Sequence, residues 1–238
     1  MIGGVLVVPE RIRTLPAAVA GRGALAGIAA AAWVALAIGI AGHTAHDDVV
    51  GQGRLPHASA VAALIGGWLI MIAAMMLPPE LIMAVRTRAA ARVVVATTCA
   101  VWTGFAIVAL SGDAVVHALA DSRPWLARAV TPAVLIGAGL FQLSPAKRRL
   151  LAATRRPSGR SWRHGLRCLG SCWALMLVMF AVGAGNLIWM VVLTAVMTAE
   201  RAGPSGVTRG AGALTGALAG FGLIAVGVLV AVQPDRIA

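Results

Sequence analysis

Six stretches of this chain are apolar for close to twenty residues or more, and the connections between them hold most of its arginines. A helix rises about 1.5 Å per residue and the hydrocarbon core of a bilayer is about 30 Å thick, so runs of that length predict membrane-spanning helices. The fold class predicted is all-α, a polytopic membrane protein of six transmembrane helices with both termini cytoplasmic. The spans fall at about 23–41, 58–77, 93–112, 125–143, 168–198 and 210–232. Residues 1–22 form a cytoplasmic N-terminal segment and 233–238 a cytoplasmic tail. The second span is expected to close at Pro78 and Pro79, because the residue before a proline is pushed out of the helical region.

Orientation follows from the basic residues. Arg54, Arg123, Arg128, Arg201 and Arg209 fall on one side of this six-span layout, and the other 15 of the 20 Lys and Arg fall on the opposite side. By the positive-inside rule the richer side is cytoplasmic. Reporters fused after Arg160 and after Ser205 are then expected on opposite sides. A net charge of +12 would suggest nucleic acid in a soluble protein, but at 60% hydrophobic and 12% charged residues the cations belong to a membrane surface. The lipid bilayer is the expected partner and nucleic acid is not; the expected location is the bacterial cytoplasmic (inner) membrane.

The stretch Cys168 to Met197 carries the most chemistry. At 100° per residue, Cys168, Cys172, Met176, Met179, Gly183, Asn186, Met190 and Met197 share an arc of roughly 80° on one helix. Thiolates and thioethers are soft ligands that select Cu(I) among biological metals. Cys168 and Cys172 are spaced to face one ion, and Met176 and Met179 continue their face. On the second span Met71 and Met75 share a face with Trp68 and lie on the same side of the bilayer, so the two faces could meet. The same pattern also fits a packing seam in which Met fills gaps and Cys and Gly allow close approach. Asn186, the single asparagine, needs a hydrogen-bond partner in lipid, and Gly183 and Gly185 beside it could mark an unwound turn.

Two other groups are weighed. His43, His46 and Asp47, beside Asp48 and ahead of His57, could hold Zn(II) or Cu(II) in the first outer loop, although a solvated turn explains them as well. His117, Asp121 and His164 stand apart in the sequence and are assigned interface or solvent roles. Gly212, Gly216 and Gly220, followed by Gly227, read as a helix-packing face. No phosphate-binding glycine loop, HExxH or nucleophile elbow is present, and no catalytic residue is expected.

The motifs Trp68-x-x-Met71-x-x-x-Met75-Met76-x-Pro78, Phe141-Gln142-x-Ser144-Pro145-x-Lys147, Gly165-x-x-Cys168-Leu-Gly-Ser-Cys172-Trp173-x-Leu-Met176, Gly185-Asn186-Leu, Trp189-Met190 and Glu200-Arg201 cover roughly residues 60–205. In order and spacing they resemble a bacterial family of predicted metal-binding integral membrane proteins, a domain of unknown function sometimes labelled copper chaperone. Members of that family often have cysteines where this chain has Leu150, Thr154 and Ser171, and a methionine where it has Gly185, so this is a sulfur-poor representative. The leading expectation, from ligand softness, is a protein that binds or hands over copper as Cu(I) through the Cys168, Cys172, Met71, Met75, Met176 and Met179 set, with a copper-accepting protein or another membrane protein as partner. The alternative from a different class is a metal-free packing or assembly subunit in which the sulfur stripe is an interface and Asn186 fixes helix register.

Overall fold

The computed structural model describes residues 11–42, 58–87, 91–154, 161–183, 186–202 and 206–233. Among these residues the chain is helical and contains no strand. In order the helices are α1 (Arg11–Gly42), α2 (Ala58–Thr87), α3 (Ala91–Ser122), α4 (Pro124–Leu143), α5 (Pro145–Thr154), α6 (Ser161–Val182), α7 (Leu187–Ala202) and α8 (Gly206–Val232). By length and composition, three stretches could each cross a membrane: Val93–Leu119, Trp162–Val182 and Gly210–Val232. A fourth arises if α4 and α5, bent by 64° at their junction, count as one. Ile38, Val108, Ile188 and Phe221 are among many large apolar side chains left on the outside, a surface suited to lipid.

The all-helical expectation holds, while several helices begin or end away from the expected boundaries. Helix α1 begins at Arg11, inside the segment expected to lie before the first span. Helix α2 does not close at Pro78 and Pro79 but runs through both to Thr87. Two missing N–H donors are tolerated because packing fixes both flanks of the pair: Met75, Met76 and Leu77 are buried before it and Glu80 after it. Helix α3 continues to Ser122, so His117 lies on a helix, where it faces Asp113 at 3.4 Å on an exposed surface.

The largest correction concerns 168–198, expected as one helix. Helix α6 stops at Val182, Gly183 takes φ +94°, and α7 starts at Leu187. A left-handed residue after the last turn is the commonest way an α-helix ends, and glycine adopts it without a Cβ clash. Asn186 then opens the next helix, its Oδ1 accepting the N–H of Trp189 at 3.2 Å, the N-cap geometry that satisfies an orphan donor. The amide thus finds its partner on its own helix. Because α7 doubles back, Arg201 near its end lies against Cys168 and Cys172 in α6.

The contacts sort the helix ends into two groups. At one end Leu25, Ala29 and Leu77 bury together against Leu81, Val94 and Val95, Glu80 meets His164 and Arg201, and Gly212 packs on the backbone of Ala199 and Glu200. Toward the other end Thr131 bonds to the carbonyl of Ala181 and Gly227 packs on Leu135 and Ile136. Helices α4 and α8 are therefore antiparallel. They touch backbone to backbone where a Cβ on Gly139 would come within 2.6 Å of the Gly220 carbonyl oxygen, so the glycine face of α8 is the packing face expected. Gly139→Ala should cost on the order of 1–3 kcal/mol through overpacking, whereas a Cβ on Gly137 meets nothing within 4 Å and Gly137→Ala should be neutral or mildly stabilising. Thermal unfolding in detergent checks the contrast; equal melting temperatures for the two variants would contradict the close approach.

Candidate functional site

Three helices build the site at the end where Glu80 is buried. On α6, Cys168, Ser171 and Cys172 occupy positions i, i+3 and i+4, which put three side chains on one face. All three are about 1% exposed. Facing them from the last turn of α7 is Arg201, equally buried, where a cation also complements the negative end of the helix dipole. Its Nη2 donates to Cys168 Sγ and to Cys172 Sγ at 3.1 Å each, and to Ser171 Oγ at 3.3 Å. Both sulfurs thus meet one nitrogen and lie no farther apart than twice that distance. Arg201 Nη1 donates to Glu80 Oε1 at 2.9 Å, and Glu80 Oε2 accepts from His164 Nε2 at 2.7 Å. His164, expected at an interface or in solvent, is instead the outer member of this chain, with 20% of its side chain exposed.

A second ionic group lies one residue away in sequence. Ser144 ends α4, its Oγ accepts the N–H of Lys147, and Pro145 supplies the preset first turn of α5, so the chain bends and carries Lys147 back inside. Lys147 Nζ stands 2.9 Å from Glu200 Oε2. Gln142 ties the pair together, accepting from Lys147 Nζ and donating to Glu200 Oε1. The Glu200 carboxylate needs the space beside Gly216, where a Cβ would come within 2.7 Å of Oε1.

The sulfur residues expected to act together fall in one hydrophobic core cluster. Met71, Met75, Met176 and Met179 are buried in the same core cluster as Cys168 and Cys172, and Met190 and Met197 join them. Trp68, on the methionine side, packs its ring 5.7 Å from that of Phe180. The third thiol, Cys99, sits on α3 outside this cluster. His43, His46 and Asp47, with Asp48 and His57, lie outside the described residues. Among the described residues no three His, Cys, Asp or Glu side chains form a metal-holding group; the thiols of Cys168 and Cys172 and the methionine thioethers of the same core cluster are soft donors.

Sequence reasoning missed the ionic part of the site. Arg201 was counted among the charges of the outer face, and no partner was assigned to it or to Glu80. Its signal was nonetheless present, since a carboxylate bordering an apolar run requires a cation and the chain has only eight Asp and Glu. Removing one partner of a buried pair leaves an uncompensated charge, so Lys147→Met alone should destabilise by about 3–5 kcal/mol. Lys147→Met with Glu200→Leu should recover much of that loss. Denaturation of the detergent-solubilised variants measures both, and a single variant as stable as wild type would show the pair to be unimportant.

Residues 65–230 match the family model PpoB2, described as copper chaperone. No curated protein and no solved structure matches the chain.

Proposed function

Since the chain belongs to the PpoB2 copper chaperone family, we propose that it is a multi-pass protein of the bacterial cytoplasmic membrane that takes up Cu(I) and hands it to an acceptor protein, without catalysing a reaction. Cys168 and Cys172 are the proposed primary ligands, with Met71, Met75, Met176 and Met179 as the thioether surroundings through which the ion arrives or leaves. The observation that carries this reading is the convergence of both thiols on one point within a buried methionine cluster. Copper is cargo here, and soft, polarisable sulfur in a water-poor core suits a monovalent ion that must be bound and released. A metal-free assembly subunit keeps one observation in its favour: Arg201 already supplies hydrogen bonds to both sulfurs, so neither thiol lacks a partner when no ion is bound.

Purified protein is expected to bind Cu(I) under reducing conditions, and Cys168→Ser with Cys172→Ser to abolish that binding. Met71→Leu and Met176→Leu conserve volume and should cost less than about 1.5 kcal/mol of stability while weakening copper binding. Absence of copper above background in the wild type, or full retention in the double serine variant, would reject this function.

The α6–α7 hairpin also supports a revised topology. Both ends of the hairpin lie with the ionic clusters, and Ala181, just before its turn, lies toward the other end of the bundle. The 16 residues of α7 give it a length of about 24 Å, enough to traverse most of the hydrocarbon. By connectivity only Arg54, Arg123, Arg128 and Arg236 then fall on the outer side, and 16 of the 20 basic residues fall inside, a stronger bias than six spans allow. Reporters after Arg160 and after Ser205 should therefore both be cytoplasmic, with a reporter after Gln233 outside. Opposite sides for the first two would restore a single crossing.

A further inference from the structure

Arg201 presents two features that a simple structural ion pair does not require. Its Nη2 sits between the two sulfurs, 3.1 Å from each, in a position that an ion bound by both thiolates would also take. Its Nε is buried with no hydrogen-bond partner among the described residues, so the side chain is one donor short of satisfaction in this pose, and a buried unsatisfied donor in a native fold calls for a reason. A guanidinium and a Cu(I) ion cannot share that point, since both are cations. The guanidinium is tethered at Nη1 to Glu80 Oε1, and the other oxygen of the same carboxylate is held by His164 Nε2.

We propose that Arg201 is the positioning residue of the thiol pair, a stand-in cation that holds Cys168 and Cys172 aimed at one point and that Cu(I) displaces on to Glu80, releasing His164. The proposal rests on the copper reading above. In the loading step two S–H protons leave to solvent, two Cu–S bonds form, the bonds between copper and its donor break, and no electron is transferred. The guanidinium gives up its bonds to the sulfurs and Ser171 and turns both terminal nitrogens on to the Glu80 carboxylate, the two-point geometry for which arginine is suited and lysine is not. His164 loses its acceptor and, already partly exposed, opens toward solvent.

The state of His164 reports this exchange independently of copper binding itself. The full chain in detergent would be compared metal-free and loaded from a Cu(I)–bicinchoninate buffer, with copper content measured, and His164 carbethoxylation by diethyl pyrocarbonate followed by peptide mass spectrometry at one fixed pH. Loading should raise the His164 rate on the order of fivefold, the scale of one released hydrogen bond. In Arg201→Gln, and in Arg201→Lys should the first variant not fold, the His164 rate should no longer respond to copper. A wild type that binds copper with an unchanged or lower His164 rate overturns the exchange while leaving the copper function standing. A His164 response that persists in either arginine variant overturns it too. A wild type that takes up no copper overturns the function and this inference together.

Discussion

A guanidinium buried to about 1% exposure is the constraint around which this molecule is arranged. Taking such a charge from water costs several kcal/mol unless a counter-charge and hydrogen bonds meet it, and the partners of Arg201 come from two other helices. Glu80 reaches it from α2, beyond two prolines that should have stopped that helix. Cys168, Ser171 and Cys172 reach it from α6. Neither set of contacts is possible unless α7 reverses direction after Gly183, so the turn, the uninterrupted α2 and the ionic cluster depend on one another.

The neighbouring Lys147, Glu200 and Gln142 group extends the same logic sideways. Glu200 and Arg201 are consecutive and therefore leave α7 on different sides, one toward α5 and the end of α4, the other toward α2 and α6. The end of α7 is thereby clamped by two opposite-charge pairs, each on its own set of helices. Gly216 and Gly212 on α8 complete the enclosure by admitting the Glu200 carboxylate and the α7 backbone at distances no side chain would permit.

Much of the architecture was legible in the sequence because apolar run length and residue spacing are local signals. The helices, the glycine face of α8, the sulfur faces of Met71, Met75, Met176 and Met179 and the thiol pair follow from periodicity. The reversal between α6 and α7 was less legible, because an apolar run of constant composition reads alike whether it continues or turns. Only Gly183, Gly185 and Asn186 marked it. Pro78 and Pro79 misled in the opposite sense, since local backbone preference was overridden by burial on both flanks. The pairings of Glu80 with His164 and Arg201, and of Lys147 with Glu200, join residues far apart in the chain: a carboxylate beside an apolar run signals that it needs a cation, but no local feature says which one. Missing the turn also hid the return of Arg201 to the thiols of α6.

The spacing of these charges along the chain sets an order of events during biosynthesis. Glu80 and Arg201 are separated by 121 residues, which at about 5–20 residues per second takes roughly ten seconds to synthesise. Glu80 must therefore wait with its principal cation not yet made. His164 emerges earlier and can hold the carboxylate in the interval. The thiols, the carboxylate and α8's glycine seam can lock only after α7 has turned back, so the last third of the chain completes a bundle whose first helices have long been in place.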